Sequence, residues 1–112
     1  MSLLPDNPAI TPEILEEVVC RILTEGSPLR IVLFGSQARG EARAGSDLDV
    51  LIVEDSSLPR YRRAARYLWA LEGVFPAKDV VVWTPQEIEA WSGVPNAFVT
   101  TALREGKTLY AR

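Results

Sequence analysis

Two aspartates separated by a single residue are the feature of this sequence whose spacing most directly suggests chemistry. Asp47 and Asp49 open the segment 47–53, whose apolar remainder is typical of a β-strand. Because side chains alternate between the two faces of a strand, both carboxylates are expected on the same face. Neighbouring carboxylates repel each other unless a positive charge lies between them. The spacing therefore indicates a shared cation, and hard oxygen ligands of this kind suit magnesium.

A glycine and a serine stand at the end of the preceding apolar segment. Gly35 and Ser36 directly follow residues 31–34 and can form a sharp turn into a short helix. Such a turn presents backbone N–H groups and a hydroxyl, and it binds anions. If the two strands are neighbours, a phosphate held there lies close to Asp47 and Asp49. A triphosphate bridged by magnesium would then connect the turn to the aspartates.

The composition limits the kinds of protein that the chain can be. With 112 residues, 47% of them hydrophobic, the sequence predicts one globular domain over 1–112 with an irregular arm at 1–10. A net charge of −3 gives no general attraction to nucleic acid or to acidic membranes. Because the sequence has no histidine, histidine-based triads and ordinary zinc sites are effectively excluded.

The single cysteine and the absence of an apolar leader bear on location. Cys20 lies among apolar residues and is predicted to be a packing residue, and a lone cysteine fits a reducing compartment. The sequence contains neither a signal peptide pattern nor a run of about eighteen apolar residues. We therefore expect a cytoplasmic protein that does not span a membrane.

Helix and strand signals alternate along the chain. Thr11 and Pro12 predict a helix start, Gly26 a helix end, and Thr84 with Glu87 a capping box. The predicted elements are a helix over 12–25, a strand over 29–34, a short helix after Gly35, a strand over 47–53, a helix over 58–71, a strand over 79–83, helices over 85–91 and 96–105, and an edge strand over 107–112. This order predicts an α/β domain with a small mixed sheet of three to four strands and helices packed against it.

Two of these helices have predicted faces that the structure can test. The helix over 58–71, capped by Ser57, is expected to bury an apolar face made of Tyr61, Ala65, Leu68, Trp69 and Leu71. Its four arginines, Arg60, Arg62, Arg63 and Arg66, form either a solvated face or a contact to phosphates, nucleic acid or an acidic partner. The helix over 96–105 is expected to bury Phe98, Val99, Ala102 and Leu103.

The segments GSQARG (35–40) and SDLDV (46–50) together resemble the signature of the minimal nucleotidyltransferases, small members of the polymerase-beta-like nucleotidyltransferase superfamily. The resemblance extends over nearly the whole chain. In that family a third acid stands on a following apolar strand, and Asp79 matches it. The preceding Lys78 departs from the pattern, because the family normally has an apolar residue there.

The resemblance implies an activity and a set of roles. Members of the family transfer a nucleoside monophosphate from a nucleoside triphosphate to a hydroxyl, and AMP from ATP is the transfer we expect. Asp47 and Asp49 would hold two Mg²⁺ ions, and Asp79 would hold one of these and help to activate the hydroxyl. The implied nucleotide-binding residues are Gly35, Ser36, Arg39 and Ser46. From the residues alone, Arg39 could equally form a surface ion pair, and Ser46 could be a local turn hydroxyl.

The resemblance also implies a partner. Minimal nucleotidyltransferases are commonly encoded with a small helical HEPN-type protein, as a toxin and antitoxin pair. The leading hypothesis is therefore an antitoxin enzyme that adenylylates a hydroxyl of such a toxin. The alternatives are a binding module that neutralises its partner sterically, and an aminoglycoside-type enzyme that needs a homo-oligomer to build its acceptor pocket. Neither the base preference nor the oligomeric state follows from the sequence, and a nucleic-acid acceptor is not indicated.

Overall fold

A four-stranded mixed sheet forms the centre of the computed structural model, which describes residues 10–35, 37–38, 47–74 and 78–112. The elements in chain order are α1 (Pro12–Glu25), β1 (Arg30–Phe34), β2 (Leu48–Val53), α2 (Arg60–Arg63), α3 (Ala65–Ala70), β3 (Lys78–Trp83), α4 (Pro85–Trp91), α5 (Phe98–Glu105) and β4 (Lys107–Ala111). The predicted α/β class and the mixed sheet are confirmed. Of the predicted arm at 1–10, only Ile10 lies within the described residues.

The strands lie in the order β3-β2-β1-β4. Strand β1 pairs antiparallel with both β2 and β4, whereas β2 and β3 are parallel. Consequently β2 and β3 begin at the same end of the sheet, which is also the end where β1 finishes. The register places Asp49 opposite Phe34 on one side and level with Asp79 on the other.

The two faces of the sheet bury different sets of side chains. Helices α1 and α3 cover one face, where Val50 and Ile52 of β2 join the larger hydrophobic cluster. Helix α5 covers the other face, where Leu51 of β2 packs with Val99. Since side chains alternate along β2, Asp49 lies on the same face as Leu51. The carboxylates therefore belong to the α5 face, beyond the apolar cluster.

Helix α1 begins and ends where the sequence predicts. The hydroxyl of Thr11 accepts a hydrogen bond from the backbone N–H of Ile14 at 3.2 Å, and Gly26 follows the last helical residue. Gly26 has an extended backbone, with φ −159°, rather than a left-handed one. Its absence of a side chain matters for space instead, because a Cβ atom there would overlap the hydroxyl of Tyr67.

The single helix predicted over 58–71 is wrong, because the segment forms two short helices with Ala64 between them. The hydroxyl of Ser56, rather than that of Ser57, accepts a hydrogen bond from the backbone N–H of Leu58. The predicted apolar face is also wrong except at Leu71. Tyr61 is 84% exposed and Trp69 is 76% exposed.

The opposite side of this segment is buried, and it carries polar side chains. Arg63 and Tyr67 are both buried there. Burying a polar group is unfavourable unless it is hydrogen-bonded. Glu87 supplies the partner of Arg63, and Glu54 supplies the partner of Tyr67. These carboxylates explain why the segment turns its polar residues inward.

Arg63 joins three elements of the fold. Its guanidinium donates to the Glu87 carboxylate at 2.6 Å, to the carbonyl of Val82 at 3.2 Å and to that of Leu58 at 2.8 Å. Glu87 also completes the capping box of α4, because its carboxylate accepts from the backbone N–H of Thr84 at 2.9 Å. The hydrogen bond from Arg63, assisted by that from Thr84 and opposed by burial, lowers the pKa of Glu87 to about 2.

The remaining arginines of the segment differ in their surroundings. Arg60 lies over the ring of Trp83, 3.8 Å from its centroid, and Arg66 pairs with Glu54 at 2.6 Å. Arg62 is exposed. The prediction of a solvated arginine face is therefore wrong for Arg63, whose charge is held inside the protein.

Glu54 is the centre of a second polar cluster, beside the end of β2. Its carboxylate accepts hydrogen bonds from the Tyr67 hydroxyl at 2.5 Å, from the Arg66 guanidinium and from the backbone N–H of Ser27 at 3.2 Å. Burial raises the pKa of Tyr67, and the bond to Glu54 raises it further. The cluster joins α3 and the end of β2 to the residues that follow α1.

Two smaller predictions are corrected. Cys20 is exposed on α1 rather than packed in the core. Phe98 is 48% exposed, although Val99 and Ala102 on the same helix are buried as expected.

In the described parts of the chain, no helix has the length and apolar character needed to cross a membrane.

Candidate active site

The predicted carboxylates meet at the end of the sheet where β2 and β3 begin. Asp49 and Asp79 occupy the same level of two neighbouring parallel strands. Neighbouring strands are about 4.8 Å apart, and residues at the same level point to the same face. Asp47 is exposed and immediately precedes β2, which begins at Leu48 rather than at Asp47 itself. The fold thus brings Asp49 and Asp79 to one edge of the α5 face, with Asp47 on the approach to β2.

Gly35 forms the wall on the other side of Asp49. It follows Phe34, the last residue of β1, and its φ of +76° is one that residues with a side chain rarely adopt. A Cβ atom at this position would overlap the Oδ2 atom of Asp49. The backbone N–H of Ala38 donates to the carbonyl of Gly35 at 3.1 Å. A tight turn therefore exists where the sequence predicts it, with its backbone against a candidate catalytic carboxylate.

Four residues of the sequence signature lie outside the described residues. They are Ser36, Arg39, Gly40 and Ser46. The nucleotide-binding roles of Ser36, Arg39 and Ser46 remain predictions.

The carboxylates at this edge are open to solvent to different degrees. Asp47 and Asp79 are exposed, and Asp49 is partly buried beside the Gly35 turn. Within 10–35, 37–38, 47–74 and 78–112, no group of three or more Asp, Glu, Cys or His side chains is arranged to hold a metal ion by itself. Magnesium usually takes one or two carboxylates, with waters and substrate phosphates completing its shell. The oxygen donors of Asp47 and Asp49 fit that kind of binding.

A cleft of about 230 Å³ adjoins the site on the side of β1. Phe34 and Gly35 line its inner wall, and Asn96, Phe98 and Thr101 line the wall formed by α5 and its approach. The sequence did not indicate these α5 residues, because Phe98 was expected to be buried. A signal in the sequence for a turn before α5 was Asn96, because asparagine tolerates left-handed backbone better than most residues. Its φ here is +59°.

This fold is that of a nucleotidyltransferase domain. Residues 13–104 match the model of the Nucleotidyltransferase domain family, and the chain belongs to that family. The resemblance in segments 35–40 and 46–50 and the predicted enzyme class are thereby confirmed.

Two solved structures have a similar fold at low sequence identity. One is a toxin–antitoxin complex with AMP-PNP, with a TM-score of 0.60 and 19% identity over 88% of this chain and 73% of that chain. The other is the toxin–antitoxin MntA-HpeT carrying two Asp→Glu substitutions, with a TM-score of 0.57 and 16% identity over the same shares. None of the curated proteins compared with this chain matches it significantly.

Proposed function

We propose that the protein transfers AMP from ATP to an acceptor hydroxyl in a magnesium-dependent reaction. The observation that carries this proposal is the position of Asp49, which stands level with Asp79 on one side and against the Gly35 turn on the other. A phosphate-binding turn and paired carboxylates are the two parts that phosphoryl and nucleotidyl transfer need. Membership of the nucleotidyltransferase family supports the same reaction.

Each part of the site has a role in this reaction. The turn at Gly35 and Ser36 would bind the triphosphate through backbone N–H groups. Asp47 and Asp49 would hold two magnesium ions, with Asp79 sharing one of them, and the ions would stabilise charge on the attacking and leaving oxygens. The acceptor oxygen forms a bond to the α-phosphorus while the bond to pyrophosphate breaks. Asp79 would accept the proton of the attacking hydroxyl.

The acceptor that we propose is a hydroxyl, preferably of a tyrosine, on a HEPN-type toxin in the cytoplasm. Both similar solved structures are toxin–antitoxin assemblies, and one of them contains AMP-PNP. Adenylylation of the toxin would neutralise it, so that the protein acts as an antitoxin.

The test is label transfer from ATP carrying the label at either the α or the γ phosphate. The purified protein, magnesium and ATP are incubated with a lysate of the source organism, and the products are separated on a gel. We expect a protein band labelled from the α phosphate only. Asp49→Asn should reduce the label at least about 100-fold because it removes a carboxylate at the reacting phosphate.

The matched control is Asp55→Asn, because Asp55 is an exposed aspartate just beyond the other end of β2. It should label the acceptor as the unaltered protein does, and both variants should unfold at nearly the same temperature. Transfer of the γ label, or full labelling by Asp49→Asn, would contradict the proposed reaction.

A second candidate function is a steric antitoxin that binds the toxin without modifying it. The observation that favours it is the exposure of three large apolar side chains on α2 and α3, namely Tyr61, Leu68 and Trp69, at 84%, 38% and 76%. Grouped apolar side chains on a surface often mark a protein contact. Neutralisation of the toxin by the Asp47→Asn, Asp49→Asn double variant, at normal expression, would favour this function over adenylylation.

A further inference from the structure

The cleft beside Gly35 has a fixed place relative to the carboxylates. Phe34 is opposite Asp49 on β1, and Asp49 is level with Asp79 on β3. Across the strands from β1 to β3, the order is therefore the cleft, Phe34, Asp49 and Asp79. The cleft and Asp79 lie on opposite sides of the carboxylate that the Gly35 turn touches.

The walls of the cleft suit a flat ring. Phe98 meets Phe34 edge to face, with ring centroids 5.3 Å apart and an interplanar angle of 73°. The ring of Phe98 also packs against that of Trp83, with 6.4 Å between the ring centroids, and it remains 48% exposed. Asn96 and Thr101 add polar groups to this aromatic surface. Aromatic walls with a few polar groups are typical of small-molecule sites.

The size of the cleft also limits what it can take. Sites for drug-sized ligands are about 300–1,000 Å³, whereas this cleft is about 230 Å³. A whole nucleoside triphosphate does not fit, but a base with its sugar is of the right order. The phosphates would then extend past Gly35, which belongs to both the cleft and the turn.

We propose that this cleft binds the nucleoside of the nucleoside triphosphate, with the base against the ring of Phe98 and the phosphates at the Gly35 turn. The acceptor hydroxyl then approaches from the side of Asp79, away from the cleft. This inference rests on the proposed nucleotidyl transfer. It assigns the part of the site that would allow the protein to bind ATP differently from inorganic tripolyphosphate, which has no nucleoside.

The test compares two probes in the presence of magnesium. One is α,β-methylene-ATP, which cannot donate AMP, and the other is inorganic tripolyphosphate, which has no nucleoside. Their affinities are measured by calorimetry for the unaltered protein and for Phe98→Ala. Stacking of a base on an aromatic ring corresponds to roughly 5- to 150-fold in affinity. We expect a loss of this size for the ATP analogue and no change for tripolyphosphate.

Two further variants separate binding from folding. Thr101→Tyr narrows the cleft from α5 while leaving Phe98 in place, and it should weaken the ATP analogue at least as much. Trp91→Ala removes an aromatic ring that is 44% exposed on α4, outside the cleft, and it should leave both affinities unchanged. Thermal unfolding of each variant confirms that the compared proteins are folded.

The outcomes distinguish this inference from the proposed function. If the unaltered protein binds both probes but neither cleft variant weakens the ATP analogue, the nucleoside binds elsewhere and the inference is wrong, while nucleotidyl transfer stands. Equal weakening of both probes also overturns it, because the effect would then lie at the phosphates. If the unaltered protein binds neither probe, the proposed function fails together with the inference.

Discussion

Gly35 and Gly73 have nearly the same backbone conformation for different reasons. Their φ angles are +76° and +82°. An alanine at either position would be strained by about 1 kcal/mol, because side chains disfavour positive φ. Only at Gly35 is there also no space, since a Cβ atom would overlap Asp49, whereas nothing lies within 4 Å at Gly73. The two glycines therefore form a matched pair for separating strain from contact.

We predict that Gly35→Ala reduces nucleotidyl transfer about 100-fold, because displacement of a reacting group by about 1 Å has an effect of that order. Gly73→Ala should retain the activity. Like Gly35→Ala, it should lower the unfolding free energy by about 1 kcal/mol because of backbone strain. Label transfer from α-labelled ATP and urea unfolding of both variants provide the measurements. Equal activities of the two variants would show that the Asp49 carboxylate does not need its present position.

Individual site residues were predictable from sequence where one local rule was sufficient. Alternation along a strand predicted that Asp49 points to a defined face, and the turn chemistry of glycine predicted the bend at Gly35. The level pairing of Asp49 with Asp79 was not predictable in this way. It depends on the register between two strands that are connected by residues 54–77, a property set by the whole sheet.

At the level of elements, the segment after β2 shows where sequence periodicity misleads. Helical spacing predicted that Tyr61 and Trp69 would be buried, yet the segment buries Arg63 and Tyr67 instead. Periodicity treats arginine as a surface residue because an unpaired buried charge is unfavourable. Here Glu87, which lies 24 positions further along the chain, supplies the paired charge. Helices α1 and α4 were predictable because their caps are local to the sequence.

Glu87 should make the stability of this arrangement depend on pH. Its pKa is about 2 in the folded protein and 4.5 in the reference state. Between these values the unfolded chain binds more protons, so the contribution of Glu87 is complete above about pH 4.5 and is lost as the pH falls towards about 2. The folded protein is therefore expected to lose stability on acidification through this window.

We predict that Glu87→Gln lowers the unfolding free energy by about 1.5–3 kcal/mol at neutral pH, because Arg63 loses a charged hydrogen-bond partner. Glutamine preserves the capping box of α4, so the charge alone is tested. The difference in stability between the variant and the unaltered protein should disappear as the pH falls from 4.5 towards 2. Glu89→Gln, on the exposed side of the same helix, is the control and should change stability by less than about 0.5 kcal/mol. A difference that is undiminished at pH 2 would contradict the assigned ion pair.

In the molecule as a whole, the larger hydrophobic cluster and the candidate active site lie on opposite faces of one sheet. The face covered by α1 and α3 contains the larger hydrophobic cluster and no candidate catalytic residue. The face covered by α5 contains the smaller cluster, and Asp49 and Phe34 continue it towards the site. The sequence predicted that helices pack on the sheet, but it did not predict which helix covers which face, because that depends on the connections between distant elements.

Val18 on α1 and Val99 on α5 allow this division to be tested, because both are fully buried and each belongs to a different cluster. Removing two methyl groups from either core should lower the unfolding free energy by about 2 kcal/mol. We predict that only Val99→Ala also weakens binding of α,β-methylene-ATP, by about 3- to 10-fold, because α5 positions Phe98 and Thr101 beside the Gly35 turn. Calorimetry on both variants, under conditions where each is fully folded, makes the comparison. If Val18→Ala weakened binding equally, the site would depend on the stability of the whole domain rather than on the α5 face.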